Sequence, residues 1–435
     1  MSRKASLGLV LAGVAAGSLG VLAVSPPASV VRAAYAAVED LTRQISLFGE
    51  VFQKVRTDYV AQPDEKSMVA DALSGMVSGL DAQSAYFAPA DAAHASEKPG
   101  DTTATVGLLL TIDDSAAKVV SVADGSPAAG AGILAGDAIV AINGEDLSGA
   151  HLLDITHALT CGDGKPVSLT LLREGVSDPF SAKLQCAVLP SVTVTARAEG
   201  PVAYLRIARF TDRTPDELKS ALKAIRAEIG SDTVKGYVLD LRSNPGGSVE
   251  AAAAVAGDFL NNGDPILSVR GRDAADNHQF AAKASETIAG QPLVVLINGG
   301  SAAEAEVVAG ALKDDHRATV LGARSFGTGL VQSIIPLGRE GTLRLTTARY
   351  YTPSGQAIQA KGIEPDIAVT QISAPLPAGL QPKPAATASA KKPASPAYIP
   401  GDALKDKQLQ YALGLVQGTI VNPIFQPNPK KPAAG

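Results

Sequence analysis

Hydroxyl and carboxylate side chains gather in two glycine-bearing stretches, residues 297–312 (INGGSAAEAEVVAGAL) and 324–337 (RSFGTGLVQSIIPL). Ser301 and Thr328 are among the hydroxyls there. Such groups are weak nucleophiles at neutral pH and need a neighbouring base, and a lysine serves only where burial keeps it neutral. Glu304 and Glu306 fall in the first turn of a predicted helix, where they suit the positive end of its dipole and call for no catalytic role. Other constellations are missing. The five histidines, His94, His151, His157, His278 and His316, are scattered, and no His-Glu-x-x-His, Cys-x-x-Cys, Gly-x-x-x-x-Gly-Lys-Ser/Thr or Gly-x-Ser-x-Gly occurs. Metal, nucleotide and Ser-His-Asp esterase chemistry are unsupported, and no cofactor is expected.

Both stretches resemble the active-site segments of the carboxyl-terminal processing, or tail-specific, serine proteases. In that family the first runs glycine, serine or threonine, alanine, then the nucleophilic serine; here that serine falls on Ala303. The family's general-base lysine, in a Phe-Gly-Lys-Gly turn, falls on Thr328. The two stand 25 positions apart, from 303 to 328, which is the family's own separation. Alanine offers no nucleophile and threonine no base, so the resemblance implies a protease scaffold without its dyad, a pseudoprotease. Glu304 replaces a small residue and brings a carboxylate beside the former nucleophile, making the pocket less hospitable to an oxyanion. The alternative is an active endopeptidase that uses Ser301, or another unrecognised nucleophile; Lys361 is the one nearby amine that could stand in as base. Residues 240–247 (DLRSNPGG) resemble the family's Asp-Leu-Arg-Asn-Asn-Pro-Gly-Gly turn, which implies an oxyanion-holding N–H at Gly246 or Gly247. Gln332 matches a glutamine that orients the lysine. Residues 343–366 (LRLTTARYYTPSGQAIQAKGIEPD) imply a substrate groove lined by Tyr350 and Tyr351, so peptide binding can outlast hydrolysis.

The elements that would position these groups follow from periodicity. Over 37–93, Leu47, Val51, Val55 and then Met68, Ala72, Met76 recur at helical spacing. The close of that segment resembles the family's Leu-Asp-Pro-His-Ser-Ser-Tyr ending, matching at Asp81 and Ser84 but not at Ala82 or Gln83. From 102 to 188, short alternating strands with glycine turns resemble a PDZ domain, in which a peptide adds as a strand and a loop of N–H groups holds its terminal carboxylate. The matching loop is Val106-Gly107-Leu108-Leu109, with Leu109 in the place of a second glycine, and a helix over 152–159 faces the groove and carries His157. Thr214-Pro215 are expected as cap and first residue of a helix to 229. Residues 236–260 read as a βα unit, and a strand at 292–297 feeds a helix at 303–312. The expected fold is α/β multidomain: an N-terminal helical segment (34–100), a PDZ domain built as a small β-barrel with helices (101–190), a βα-type tail-specific protease core (191–372), a Pro/Ala-rich linker (373–400) and a C-terminal helix and tail (401–435).

With 435 residues, 46% of them hydrophobic and 19% charged, the chain can bury a large core over two or three domains. A net charge of −5 and the lack of any Lys/Arg cluster interleaved with aromatics exclude nucleic acid as a partner. Arg3 and Lys4 precede an apolar run over 7–24, with Pro26, Pro27 and a small-residue site at 31–33; residues 1–33 read as an export signal. The run's 18 residues also meet the lower limit for an uncleaved anchor, which would associate the protein with the inner membrane. Either way the location is periplasmic or otherwise extracytoplasmic. Cys161 and Cys186 there either form a disulfide or stay separate small hydrophobic thiols. Expected partners are protein or peptide C-termini, an active paralogous protease or an adaptor, and further copies of the chain in a homo-oligomer.

Overall fold

The computed structural model describes residues 28–92, 95, 104–113, 116–148, 150, 152–159, 165–189, 191–273, 277–284, 286–371 and 397–427. The expected export segment up to residue 27, the linker over 372–396, Cys161, His94 and His151 lie outside them. Two compact units divide between Ala72 and Leu73. The first holds helix α1 (Ala28–Asp58) and the start of α2 (Glu65–Ser78). Leu47, Val51 and Val55, the apolar repeat read from the sequence, are exposed on α1. Among the described residues no helix is long and apolar enough to cross a membrane.

The second unit opens with β1 (Ala85–Phe87) and continues into a small domain of short strands. These are β2 (Ala104–Thr105), β3 (Leu108–Asp113), β4 (Ala116–Val122), β5 (Ala138–Ile142), β6 (Glu145–Asp146), β7 (Val167–Leu172), β8 (Phe180–Leu184) and β9 (Ala187–Val188), with helices α3 (Pro127–Gly130) and α4 (Leu152–Ala158). Strict alternation on β7 and β8 turns Val167, Leu169, Leu171, Phe180, Ala182 and Leu184 into one core. Asn143 and Gly144 both take positive φ, 53° and 89°, the two-residue turn whose twist suits the β5–β6 hairpin. The antiparallel order β3-β4-β5-β7-β8 leaves β3 at an edge, with α4 packed against it. Cys186 is disulfide-bonded, and the chain has one other cysteine, Cys161.

The rest builds a layered α/β core. Its strands are β10 (Val194–Glu199), β11 (Val202–Ile207), β12 (Gly236–Asp240), β13 (Pro265–Gly271), β14 (His278–Ala281), β15 (Leu293–Ile297), β16 (Thr319–Gly322), β17 (Leu330–Pro336), β18 (Thr342–Tyr351) and β19 (Ile367–Ala368); its helices are α5 (Thr214–Ile229), α6 (Val249–Gly257), α7 (Glu304–Asp314) and α8 (Lys407–Gln417). The main sheet runs β10-β11-β12-β15-β16-β19, parallel except for β10 against β11. Helices α5, α6 and α7 cover one face through Leu218, Leu222, Val255 and Val308, while α8 covers the other through Leu409, Ala412 and Val416. Burial on both sides is why β15 reads as an unbroken apolar run and β12 as one up to Asp240. A second sheet, β1-β18-β13-β14 with β17 on β18, stands beside it. Helix α5 starts one residue earlier than expected, with Arg213 at the cap position and Thr214 inside. The Thr214 hydroxyl is buried against Thr193 (2.8 Å) and accepts the Thr211 N–H (2.9 Å), so it ties the helix to the preceding chain instead of capping its first turn.

Helix α6 ends on Asp258, whose carboxylate stands at the negative end of the helix dipole with Oδ2 buried and unpartnered and Lys219 3.9 Å from Oδ1. Burial pushes its pKa up to about 6. A carboxyl raised above its unfolded value contributes most below that value and loses its contribution as the pH climbs through the folded one. Asp258→Asn should therefore unfold at higher urea than the wild type near about pH 7.5 and at the same urea near about pH 4.

Candidate active site

Parallel neighbours β12, β15 and β16 deliver their carboxyl ends side by side, where open α/β sheets hold ligands. The turns that follow them are stitched together: Ala302 N–H donates to Asn244 O (2.9 Å) and Phe326 N–H to Ser301 O (2.9 Å). The first turn is the glycine pair. Gly246 and Gly247 take φ of 99° and 146°, and a Cβ on Gly247 would fall 1.9 Å from Phe210 O, so only glycine fits there. Gly246 N–H donates to Asn244 Oδ1 (2.8 Å), while Gly247 N–H donates to Glu304 Oε2 (2.7 Å).

Ala303 occupies the cap position of α7 with φ 50° and ψ −115°. A non-glycine residue held in that region costs on the order of 1–3 kcal/mol, so the surrounding contacts must hold it there. Holding it is Glu306, fully buried, which gathers four donors. Its Oε2 accepts Ala303 N–H (2.9 Å) and Thr328 N–H (2.8 Å); its Oε1 accepts Gly327 N–H (2.7 Å) and the Ser325 hydroxyl (2.5 Å). One carboxylate oxygen thus sets the two positions expected for nucleophile and base beside each other. Burial pushes the Glu306 carboxyl up to about 7, against the pull of those four donors. Glu304 is buried too; besides Gly247 it has the Tyr350 hydroxyl 3.4 Å from Oε1, and burial raises its pKa.

Ser301 lies behind this arrangement. Its side chain is wholly enclosed, its hydroxyl donates to Leu241 O (2.8 Å), and its oxygen accepts Asn298 N–H (3.0 Å). Lys361 is exposed. Gln332 sits on β17, where Nε2 donates to Thr346 Oγ1 (2.7 Å) and Gln83 Oε1 (3.2 Å), while its buried Oε1 has no partner. Tyr350 is buried on β18, and Tyr351 next to it carries the Arg270 guanidinium 4.4 Å over its ring.

Val106, Gly107, Leu108 and Leu109 belong to the small domain. Gly107 N–H donates to Thr105 Oγ1 (3.1 Å), and a Cβ on Gly107 would come 2.2 Å from Ser126 Cβ, which again demands glycine. Val106 is buried and Leu109 exposed at the start of the edge strand β3. Ile112, Leu152, Asp154, Asp81, Ser84 and Arg344 border a cavity of about 280 Å³. The small domain also reaches the glycine turn: Ser121 Oγ donates to Ser243 O (2.7 Å), and Arg206 forks onto Asp124 (2.6 and 2.8 Å).

Glu306 as a clamp, and Gln83 against Gln332, were not foreseen. The first had a usable signal, because a Glu three residues after a helix cap is placed to reach back to the cap N–H, the half of a capping box that Ala303 still permits. The second pairs positions 249 apart, beyond any local pattern.

Residues 201–369 match the family described as peptidase family S41, and residues 118–173 match a PDZ domain. The carboxy-terminal-processing protease of Bartonella bacilliformis is 41% identical over 402 residues, covering 89% of this chain and 92% of that one. The carboxy-terminal processing protease CtpB of Bacillus subtilis is 29% identical, covering 80% and 72%. Among solved structures, a photosystem II D1 C-terminal processing protease superposes with a TM-score of 0.63 at 28% identity, over 73% of this chain and 85% of that one. The chain belongs to the carboxy-terminal processing proteases of peptidase family S41, with a PDZ domain joined to the protease core.

Proposed function

We propose that this protein is an extracytoplasmic member of the family that binds protein tails or unfolded peptide segments through its PDZ groove and core and does not cut them. The observation that carries the reading is the pair of neighbours on the Glu306 carboxylate: Ala303 and Thr328, the positions expected for nucleophile and base, offer neither group. Ser301 is a poor substitute, since its proton is committed to a backbone carbonyl and, among the described residues, no lysine or histidine hydrogen-bonds to it. The edge strand β3 beside α4 supports peptide capture by strand addition. The disulfide at Cys186 suits an oxidising compartment. Partners of this reading are C-terminal segments, an active paralogous protease or adaptor, and further copies of the chain.

The test is cleavage of an unfolded reporter with an apolar C-terminal tail, measured for the wild type and for A303S/T328K, with reporter binding recorded in parallel. The wild type should bind and leave the reporter intact, and cleavage should appear only in variants that restore both groups. Wild-type cleavage that a serine-directed reagent abolishes would sink the reading and make Ser301 the residue to replace.

A further inference from the structure

The loss of a dyad does not explain why Glu304 is where it is. Its Oε2 lies 2.7 Å from Gly247 N, and the seat is close: a Cβ on Gly246 would meet that oxygen at 2.3 Å and Ala303 Cβ at 2.8 Å. Of the two glycine N–H groups in the turn, Gly246's is bound to Asn244 Oδ1 within the turn itself, so Gly247's is the one left to face the groove. In acyl transfer on this scaffold the tetrahedral oxygen needs a donor beside the residue at the α7 cap, and such a donor must lie about 2.7–3.1 Å from the oxyanion. The Glu304 carboxylate, one residue past that cap and inside that distance, already holds it.

We infer that Glu304 is a resident oxyanion mimic, a third determinant of silence alongside Ala303 and Thr328, which excludes the carbonyl oxygen of a bound peptide from Gly247. The inference rests on reading this groove as a lapsed acyl-transfer site. The carboxyl oxygen occupies the donor, and that occupancy does not depend on its charge, which burial works against. Tyr350, with its hydroxyl 3.4 Å from Oε1, helps keep the plug in place from the β18 side. Peptides bound in the groove are therefore held by strand pairing and side-chain pockets, with the scissile carbonyl left out of the donor's reach.

The consequence is that restoring the two dyad groups recovers only a small part of the rate. In the reporter assay, A303S/T328K/E304A should cleave roughly 100- to 1,000-fold faster than A303S/T328K, the usual worth of one oxyanion donor. A triple variant no faster than the double overturns the plug. A second measurement needs no catalysis. The sequence holds two Gly-Gly pairs, 246–247 and 299–300, so protein labelled with carbonyl-¹³C and amide-¹⁵N glycine gives two selectively filtered amide signals. Glu304→Ala should shift the Gly247 signal upfield as its hydrogen bond is lost, and leave Gly300 nearly in place. A Gly247 signal that does not move overturns the inference even if the wild type is inactive. Cleavage by the wild type would instead defeat the pseudoprotease reading while leaving the Gly247 result standing, so the two failures are told apart.

Discussion

Arg242→Leu is expected to lower the unfolding free energy by about 3–5 kcal/mol, the range for removing one partner from a buried ion pair. Arg242 is 1% exposed and lies between two carboxylates. It donates to Asp240 (2.6 and 3.0 Å) and to Asp406 (2.7 and 2.9 Å), and adds a bond to Gln408 (3.1 Å). Burial alone would raise the Asp240 pKa; Arg242 and then Arg206 outweigh it and hold the carboxyl at about 2. A carboxyl depressed in this way stabilises the fold above its unfolded value near about pH 3.8 and loses that contribution only as the pH falls toward 2. In Arg242→Leu the loss is felt at neutral pH, because the buried Asp406 carboxylate is left without its ion-pair partner. The physical cause is therefore testable separately from packing. Arg242→Leu/Asp406→Asn neutralises the stranded charge while keeping an oxygen for the Leu409 and Gln371 bonds, and should recover part of the urea midpoint. A double variant as unstable as the single would assign the loss to packing alone.

This pair also marks what the sequence could and could not disclose. The βα units were legible because β15, and β12 up to Asp240, are unbroken apolar runs followed by glycine turns, and the PDZ domain because its strands alternate and its turns carry glycine at positive φ. Ala303 and Thr328 were legible as positions inside two recognisable stretches. The contacts that fix them were not. Arg242 and Asp406 are 164 positions apart, with the linker between them, and no periodicity joins them. Glu304 and Glu306 share a helix turn and a residue type, yet one is aimed at the Gly247 N–H and the other at the Thr328 turn. Dipole arguments treat the two alike, since they concern only position along the helix; the direction of each side chain is set by which loop packs against it.

Glu306 gives the other large expected effect, and its variants should rank by how many donors they strand. In Glu306→Ala, the N–H groups of Ala303, Gly327 and Thr328 and the Ser325 hydroxyl lose their acceptor together. The hydroxyl can turn elsewhere. The three N–H groups cannot, and at about 1–3 kcal/mol for each unsatisfied buried group the loss reaches about 3–5 kcal/mol even where water enters to replace part of it. Glu306→Gln keeps one acceptor oxygen. Placing it toward Ala303 and Thr328 leaves the amide facing Ser325, which can rotate to accept, and Gly327, which cannot; one stranded N–H predicts a cost of about 1–3 kcal/mol. The pH dependence separates charge from hydrogen bonding. With the folded carboxyl at about 7 and the unfolded one near 4.5, the wild type binds an extra proton when folded between those values. Its stability from this group is therefore greatest below about pH 4.5 and declines as the pH rises through about 7. Glu306→Gln removes the titration, so its deficit against the wild type should be larger at about pH 4.5 than at about pH 7.5. Equal deficits at both would mean that the four donors hold the Glu306 carboxylate ionised throughout, and that its contribution is hydrogen bonding alone.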